Sequence, residues 1–440
     1  MRKMKFAMLL VICAAMVGCG TVGSSGTSAE LKTHPDLLAK AGLKYYWDVK
    51  VPLTDGETIH SIYRLDENVY CMTDLNRIYA MDAATGKFKW AAELAKQSAT
   101  VFPPVNVDGM ALSPGIYGID EVLSPEKAPP TIMSDAVVIT VDTYALVFNR
   151  STGQAIRKYG DIKFDFAAAG SAASDGAYLY VGGAEGNYYA INLQTALTKW
   201  TMTCSYTDRR PVTSPIKYYN GRIYVANQTG ELFATNVPVQ HNVDWTVALE
   251  GSITGDMVVD ARGCFVPCWD NRIYAYECNT GKPLWEPFIC DGSLRQGLQA
   301  GESTLFAGSQ KNTLYALNIA TGQQRWTLAG GKTVMGVFGG NVYVQTAKND
   351  LVVIDEMLGT KMVSLPMVGM DLAAANTTSR AVFVGTATGN LYCITPADTM
   401  LLTEETFHPK KLKTGRTTRP ASAPASAPAA AAPAAEPAAP

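Results

Sequence analysis

One unit, written eight times, limits what this chain can fold into: a short apolar run, a tight turn, a second apolar run and, in several copies, Thr-Gly, a spacer and Trp. The clearest copies are VYCMTDLNRIYAMDAATGKFKW (69–90), LYVGGAEGNYYAINLQTALTKW (179–200), CFVPCWDNRIYAYECNTGKPLW (264–285) and LFAGSQKNTLYALNIATGQQRW (305–326), joined by IYVANQTGELFATNVPVQHNVDW (223–245). Weaker copies at 138–159, 342–363 and 382–395 have replaced or lost the Trp. Trp200, Trp245, Trp285 and Trp326 are separated by 45, 40 and 41 residues. Within each copy apolar residues run or alternate as in strands and do not recur at helical spacing. Period and pattern together predict four-stranded blades, an all-β fold and an eight-bladed propeller. Turns such as Gln310-Lys311-Asn312 supply residues that tolerate positive φ.

Six of the seven Trp (Trp47, Trp90, Trp200, Trp245, Trp285 and Trp326) stand at or near the repeat position, and such regularity marks packing residues between blades. Trp269 instead falls in a hairpin turn, where it reads either as a partly exposed turn aromatic or as an interface anchor. The last copy has no Trp-bearing strand after it, while Lys44-Tyr45-Tyr46-Trp47-Asp48-Val49 precedes the first copy without a blade of its own. An outer strand around Trp47 would complete the eighth blade and leave no free sheet edge.

The ends read differently. Met1-Arg2-Lys3-Met4-Lys5 and the apolar 6–16 form an export signal over 1–18, too short to span a bilayer. Met16-Val17-Gly18-Cys19 resembles the bacterial lipobox, which makes Cys19 the expected lipidated residue, and Gly20 after it resembles the enterobacterial signal for the outer membrane. Residues 19–43 then read as a lipidated tether and 44–403 as the propeller. Residues 404–440 begin with Lys410, Lys411, Lys413, Arg416 and Arg419 and end in Ala and Pro, a low-complexity tail. The basic run is either a solvated linker or a contact for anionic lipid or wall polymer.

Removing Arg2, Lys3 and Lys5 with the signal takes the formal charge from −2 to −5, which argues against nucleic acid as a partner. Seven Cys remain beyond Cys13 and Cys19. Four of them, Cys264, Cys268, Cys278 and Cys290, share one copy and read as buried apolar thiols, as one disulfide, or as a metal site without the paired spacing of structural zinc. The sequence shows no HxH, HExxH, GxSxG or phosphate loop, so no catalytic, metal or cofactor-binding residue is assigned. Asp120-Glu121 reads as a solvated loop pair. The insertion 101–134, with six Pro, lengthens the interval from Trp90 to Tyr159 to 69 residues and should project from one face of the ring.

IYAMDAATGKFKW and LYALNIATGQQRW resemble the PQQ-like (quinoprotein-type) propeller repeat, and the resemblance spans about 44–403. It implies a β-propeller in one of two settings: quinone-dependent dehydrogenases, or the lipoprotein scaffolds of outer-membrane β-barrel assembly, the BamB family. The dehydrogenases commonly carry an adjacent Cys pair, which is missing here, and turn capping is enough to explain Asp82, Asn192 and Asn318. The resemblance therefore implies a non-enzymatic, lipid-anchored envelope scaffold, monomeric within a complex and without a cofactor, whose partner is a BamA-like barrel-assembly protein. A quinoprotein enzyme, or a binder of a small ligand in the funnel, is the alternative. By resemblance, a loop arginine docks on the partner. Tyr206-Thr207-Asp208-Arg209-Arg210-Pro211 matches that loop, with Arg210 at the arginine position and Asp208 and Arg209 beside it. The family's acidic residues in the next loop have no counterpart; Gly251-Ser252-Ile253-Thr254-Gly255 stands there, with Glu250 and Asp256 nearby.

Overall fold

A strand covered on both faces must be apolar throughout, whereas an outer strand need bury only one side. The first clear repeat obeys this: Asn68–Thr73 is buried along its whole length, while the outer strand Phe88–Glu93 buries Trp90 alone. The computed structural model describes residues 35–112, 132–156, 161–204, 209–237, 242–367 and 369–407. Among them, eight four-stranded antiparallel sheets form the blades of a ring. In chain order these are blade 1 (59–93), blade 2 (105–163), blade 3 (173–203), blade 4 (217–248), blade 5 (258–289), blade 6 (299–329), blade 7 (331–366) and blade 8, which combines 372–396 with Leu43–Lys50.

Closure is as the orphan Trp47 predicts. Leu43–Lys50 pairs antiparallel with Asn390–Pro396 as the outer strand of blade 8, from Leu43 opposite Pro396 to Lys50 opposite Asn390. The described chain extends past both propeller limits that the repeat period gives, 44 and 403. Helix Pro35–Lys40 buries Leu38, and the short helix Glu404–Phe407 buries Phe407 against Phe383. Periodicity is blind to these segments because they belong to no repeat. Blade 2 also departs from its copy: its outer strand is only Ile162–Lys163, and Tyr159 lies outside the described residues.

The blade Trp residues close the seams between blades. Trp47, Trp90, Trp245, Trp285 and Trp326 each donate the indole N–H to a carbonyl of the next blade: Ala83 (3.1 Å), Arg150 (3.0 Å), Cys278 (3.0 Å), Ile319 (3.3 Å) and Glu356 (2.9 Å). The glycine of that blade's Thr-Gly (Leu-Gly in blade 7) turn lies under the ring. A Cβ at Gly153 would sit 2.5 Å from the Trp90 ring, and one at Gly281 2.6 Å from Trp245. Both glycines also hold positive φ. Blade 3 has Ala196 in this slot, at φ 58°, and the blade before it carries no Trp. The glycine therefore answers to the Trp as much as to the turn. Trp200 is half-buried and packs on Tyr180 and Tyr188.

Antiparallel order gives the ring two unlike faces. Counting from the innermost strand outward, the first and third turns of each blade emerge on one face, here the turn face. The middle turn and the connection to the next blade emerge on the other, the loop face. The Trp-bearing seams end on the turn face. So do both ends of the described chain and the insertion, which lengthens the inner hairpin of blade 2 with Leu112 opposite Ile132.

Candidate protein interface

The loop-face connections are tied to one another mainly by backbone hydrogen bonds. Arg209 and Arg210, both exposed, follow blade 3, and their main chain runs so close to Gly186 that a Cβ there would meet the Arg210 carbonyl at 3.0 Å. Asp208 lies outside the described residues. The next residue, Pro211, accepts from Gln228 N–H (3.3 Å) in the middle turn of blade 4, and the Gln228 carbonyl accepts from the Ser252 hydroxyl at 2.6 Å. Ser252 in turn accepts from Trp269 N–H (3.0 Å) in the middle turn of blade 5. Arg210, Gln228, Thr229 and Ser252 line an open cleft of about 460 Å³.

Trp269 is 37% exposed, but its orientation is fixed. Its indole N–H donates to Thr254 Oγ1 at 2.8 Å, and the Arg295 guanidinium lies over the ring, 4.0 Å from its centroid. The cation–π contact holds the aromatic face in place and brings a further positive charge to it. The ladder continues from Leu294 N–H to the Cys268 carbonyl (3.3 Å) and from Gln310 N–H to the Ser293 carbonyl (3.0 Å). Arg210 and Trp269, 59 residues apart, thus stand on one face and share Ser252 as their link. Arg and Trp are among the residue types that most often carry binding energy in protein interfaces.

The two nearby acids go elsewhere. Glu250 pairs with Arg272 at 2.7 Å, and Asp256 takes Lys217 at 2.6 Å beside the ring axis. The axial cavity of about 440 Å³ is lined by polar and apolar residues alike, and its basic groups are engaged: Arg262 binds Asp260 (2.5 Å) and the Gly301 carbonyl (2.6 Å), and Arg64 binds Thr378 (2.5 Å) and the Phe407 carbonyl (2.7 Å). Asp82, Asn192 and Asn318 each accept main-chain N–H groups two or three residues ahead, the turn-capping role expected of them. The seven cysteines among the described residues are free thiols, six of them buried, and burial pushes those of Cys204, Cys268 and Cys290 up to about 12.

A model of the family described as outer membrane protein assembly factor BamB matches residues 44–287 and 269–429. The chain belongs to the BamB family. A family member from Burkholderia pseudomallei (strain K96243), named outer membrane protein assembly factor BamB, is 24% identical over 340 residues, covering 72% of this chain and 77% of its own. The crystal structure of BamB from Moraxella catarrhalis superposes with a TM-score of 0.58 at 14% identity, over 82% of this chain and 99% of that one. The computationally designed Ika8 protein gives 0.57 at 13%, over 79% and 98%. These structural likenesses speak to the fold.

Within this BamB-family ring, the feature that sequence reading missed most completely is Arg150. Its side chain is 1% exposed and meets four carboxylates: Glu67 (2.6 Å), Asp108 (2.7 Å), Asp66 (3.5 Å) and Asp135 (3.5 Å). Burial opposes the charge, but the hydrogen bond to Asp108 and the fields of Glu67, Asp108 and Asp66 more than offset it and raise its pKa. The cluster joins the inner turn of blade 1 to the base of the blade 2 insertion. In sequence Arg150 is one residue in a weak repeat, and its partners lie up to 84 positions away.

Proposed function

We propose that this protein is a non-enzymatic scaffold of the bacterial envelope that supports assembly of outer-membrane β-barrel proteins and docks a BamA-like partner on its loop face. Processing of 1–18, lipidation at Cys19, a tether from there to helix Pro35–Lys40 and a propeller closed through Leu43–Lys50 belong to this reading. It places the ring in the periplasm, held to the outer membrane, with the sequence after Phe407 as a tail. The observation that carries it is the hydrogen-bonded row of loops that sets Arg210, Ser252 and Trp269 side by side in a chain of the BamB family. Arg210 offers a guanidinium fork to a carboxylate or a strand edge, and Trp269 offers a rigid apolar plate beside it.

Affinity purification from native envelopes tests the proposal. The wild-type chain should bring down a large β-barrel partner, and the Arg210→Glu plus Trp269→Ala double variant should lose it while keeping its thermal midpoint. Retention of the partner by the folded double variant would place docking elsewhere.

A further inference from the structure

The turn face carries a departure from the repeat that the scaffold reading does not use. In four blades the outer turn reads Ala84-Thr85-Gly86, Ser151-Thr152-Gly153, Asn279-Thr280-Gly281 and Ala320-Thr321-Gly322. In the first three, the Thr hydroxyl bonds the residue that opens the turn: Asp82, Asn149 and Glu277. Blade 7 puts Met357-Leu358-Gly359 there. Leu358 gives up the hydroxyl bond, yet Asp355 still accepts from Met357 N–H (2.9 Å) and Leu358 N–H (2.7 Å), so the same turn now holds two apolar side chains outward. Met357 is 58% exposed and Leu358 76%.

The surroundings extend the pattern. Met362, at the start of the adjoining outer strand, is 61% exposed. On the same face of the neighbouring blade 8, Met400 is 95% and Leu401 72% exposed. Their backbone is tethered on both sides: the Thr399 carbonyl accepts from Lys44 Nζ at 2.6 Å, and Leu402 N–H donates to the Tyr46 hydroxyl at 2.9 Å. Five large apolar side chains thus point to solvent from turns around one rim, with exposed Lys361 and Lys40 among them. The chain enters the ring at this rim through helix Pro35–Lys40. It leaves the described structure on the same face after Phe407, whose ring carries Arg64 at 5.3 Å, and the sequence then continues into Lys410, Lys411, Lys413, Arg416 and Arg419.

We infer that the rim of blades 7 and 8 seats the ring on an anionic lipid surface. Met357, Leu358, Met362, Met400 and Leu401 enter the headgroup boundary, and Lys40 and Lys361 meet lipid phosphates. Apolar tips on separate turns suit a plane that yields locally, and the pairing of apolar residues with lysines is that of interfacial membrane binders. A wall polymer would match the basic run but leave the five apolar side chains without a partner. The 15 residues between Cys19 and Pro35 reach about 50 Å when extended, enough for this rim to lie on the leaflet that holds an acyl chain. The inference does not depend on lipidation, and the loop face remains turned away from the membrane for a partner.

The test uses the chain from Gly20 onward, which keeps every described residue and carries no acyl group. It should co-sediment with vesicles containing phosphatidylglycerol and weakly with vesicles of phosphatidylcholine alone, and salt should release it. Leu358→Asp with Leu401→Asp, at positions too exposed to unfold the ring, should lower the partition coefficient about tenfold or more. Arg210→Glu should leave it unchanged, which separates this surface from partner docking. Absence of binding to the anionic vesicles, wild-type partition by the Asp variant, or preferential sedimentation with purified peptidoglycan would each overturn the inference.

Discussion

The two faces of this ring solve different problems with the same repeat. On the turn face, indole N–H groups reach across seams, glycines make room for the rings and Arg150 gathers four carboxylates below an insertion. On the loop face the blades are linked mainly by backbone hydrogen bonds, and large side chains such as Trp269 are left partly in solvent. Free energy of folding therefore concentrates in the seams of the turn face, apart from the exposed rim of blades 7 and 8, and the partner-facing surface lies on the other face. A substitution in the turn-face seams should register as lost stability, and one on the loop face as lost binding.

Arg150→Met is the sharpest way to break this contrast. Removing the buried guanidinium leaves Glu67, 4% exposed at its side chain, beside Asp66, Asp108 and Asp135 without the cation that all four share. The cost should reach the upper part of about 3–5 kcal/mol, read as a lowered urea midpoint with an unchanged slope. A loss below about 1 kcal/mol would mean that water already screens the cluster. Trp326→Ala comes next, at about 3–4 kcal/mol. It removes the ring that covers Gly359 and the hydrogen bond to the Glu356 carbonyl. Val363→Ala, in the seam where the Trp has been replaced, should cost about 1 kcal/mol, and equal losses at the two positions would deny the Trp its special role. Trp269→Ala is the smallest in stability, under about 1 kcal/mol, because it gives up one cation–π contact and one exposed hydrogen bond. A thermal midpoint that fell as far as that of Trp326→Ala would move Trp269 from the binding face into the structural frame.

Much of the frame was legible because a propeller blade is a local object. Strand, turn and strand lie within some twenty residues, and the spacing of Trp200, Trp245, Trp285 and Trp326 reports the blade period directly. Even closure was legible, since a last copy short of one strand and a first strand short of a blade are complementary. The candidate site was legible only in parts. Arg209, Arg210 and Trp269 stood out one by one, but nothing in the sequence says that Ser252 links their loops or that Arg295 covers the Trp269 ring. The basic run was visible, whereas the apolar rim beside it was not: Met400 and Leu401 look like any apolar pair until their exposure is known.

By itself, then, the sequence determined the all-β class, the number of blades, their closure through Trp47 and the role of the repeated Trp, because each follows from residues whose partners recur at a fixed distance along the chain. The tertiary structure alone decided which features share a face, that Arg150 is buried among Asp66, Glu67, Asp108 and Asp135, and that the turn of blade 7 offers Met357 and Leu358 to its surroundings. The physical reason is that strand direction alternates within a blade. Whether a turn emerges on one face or the other depends on its place in the up-and-down order, and the company it keeps there comes from neighbouring blades about forty residues away.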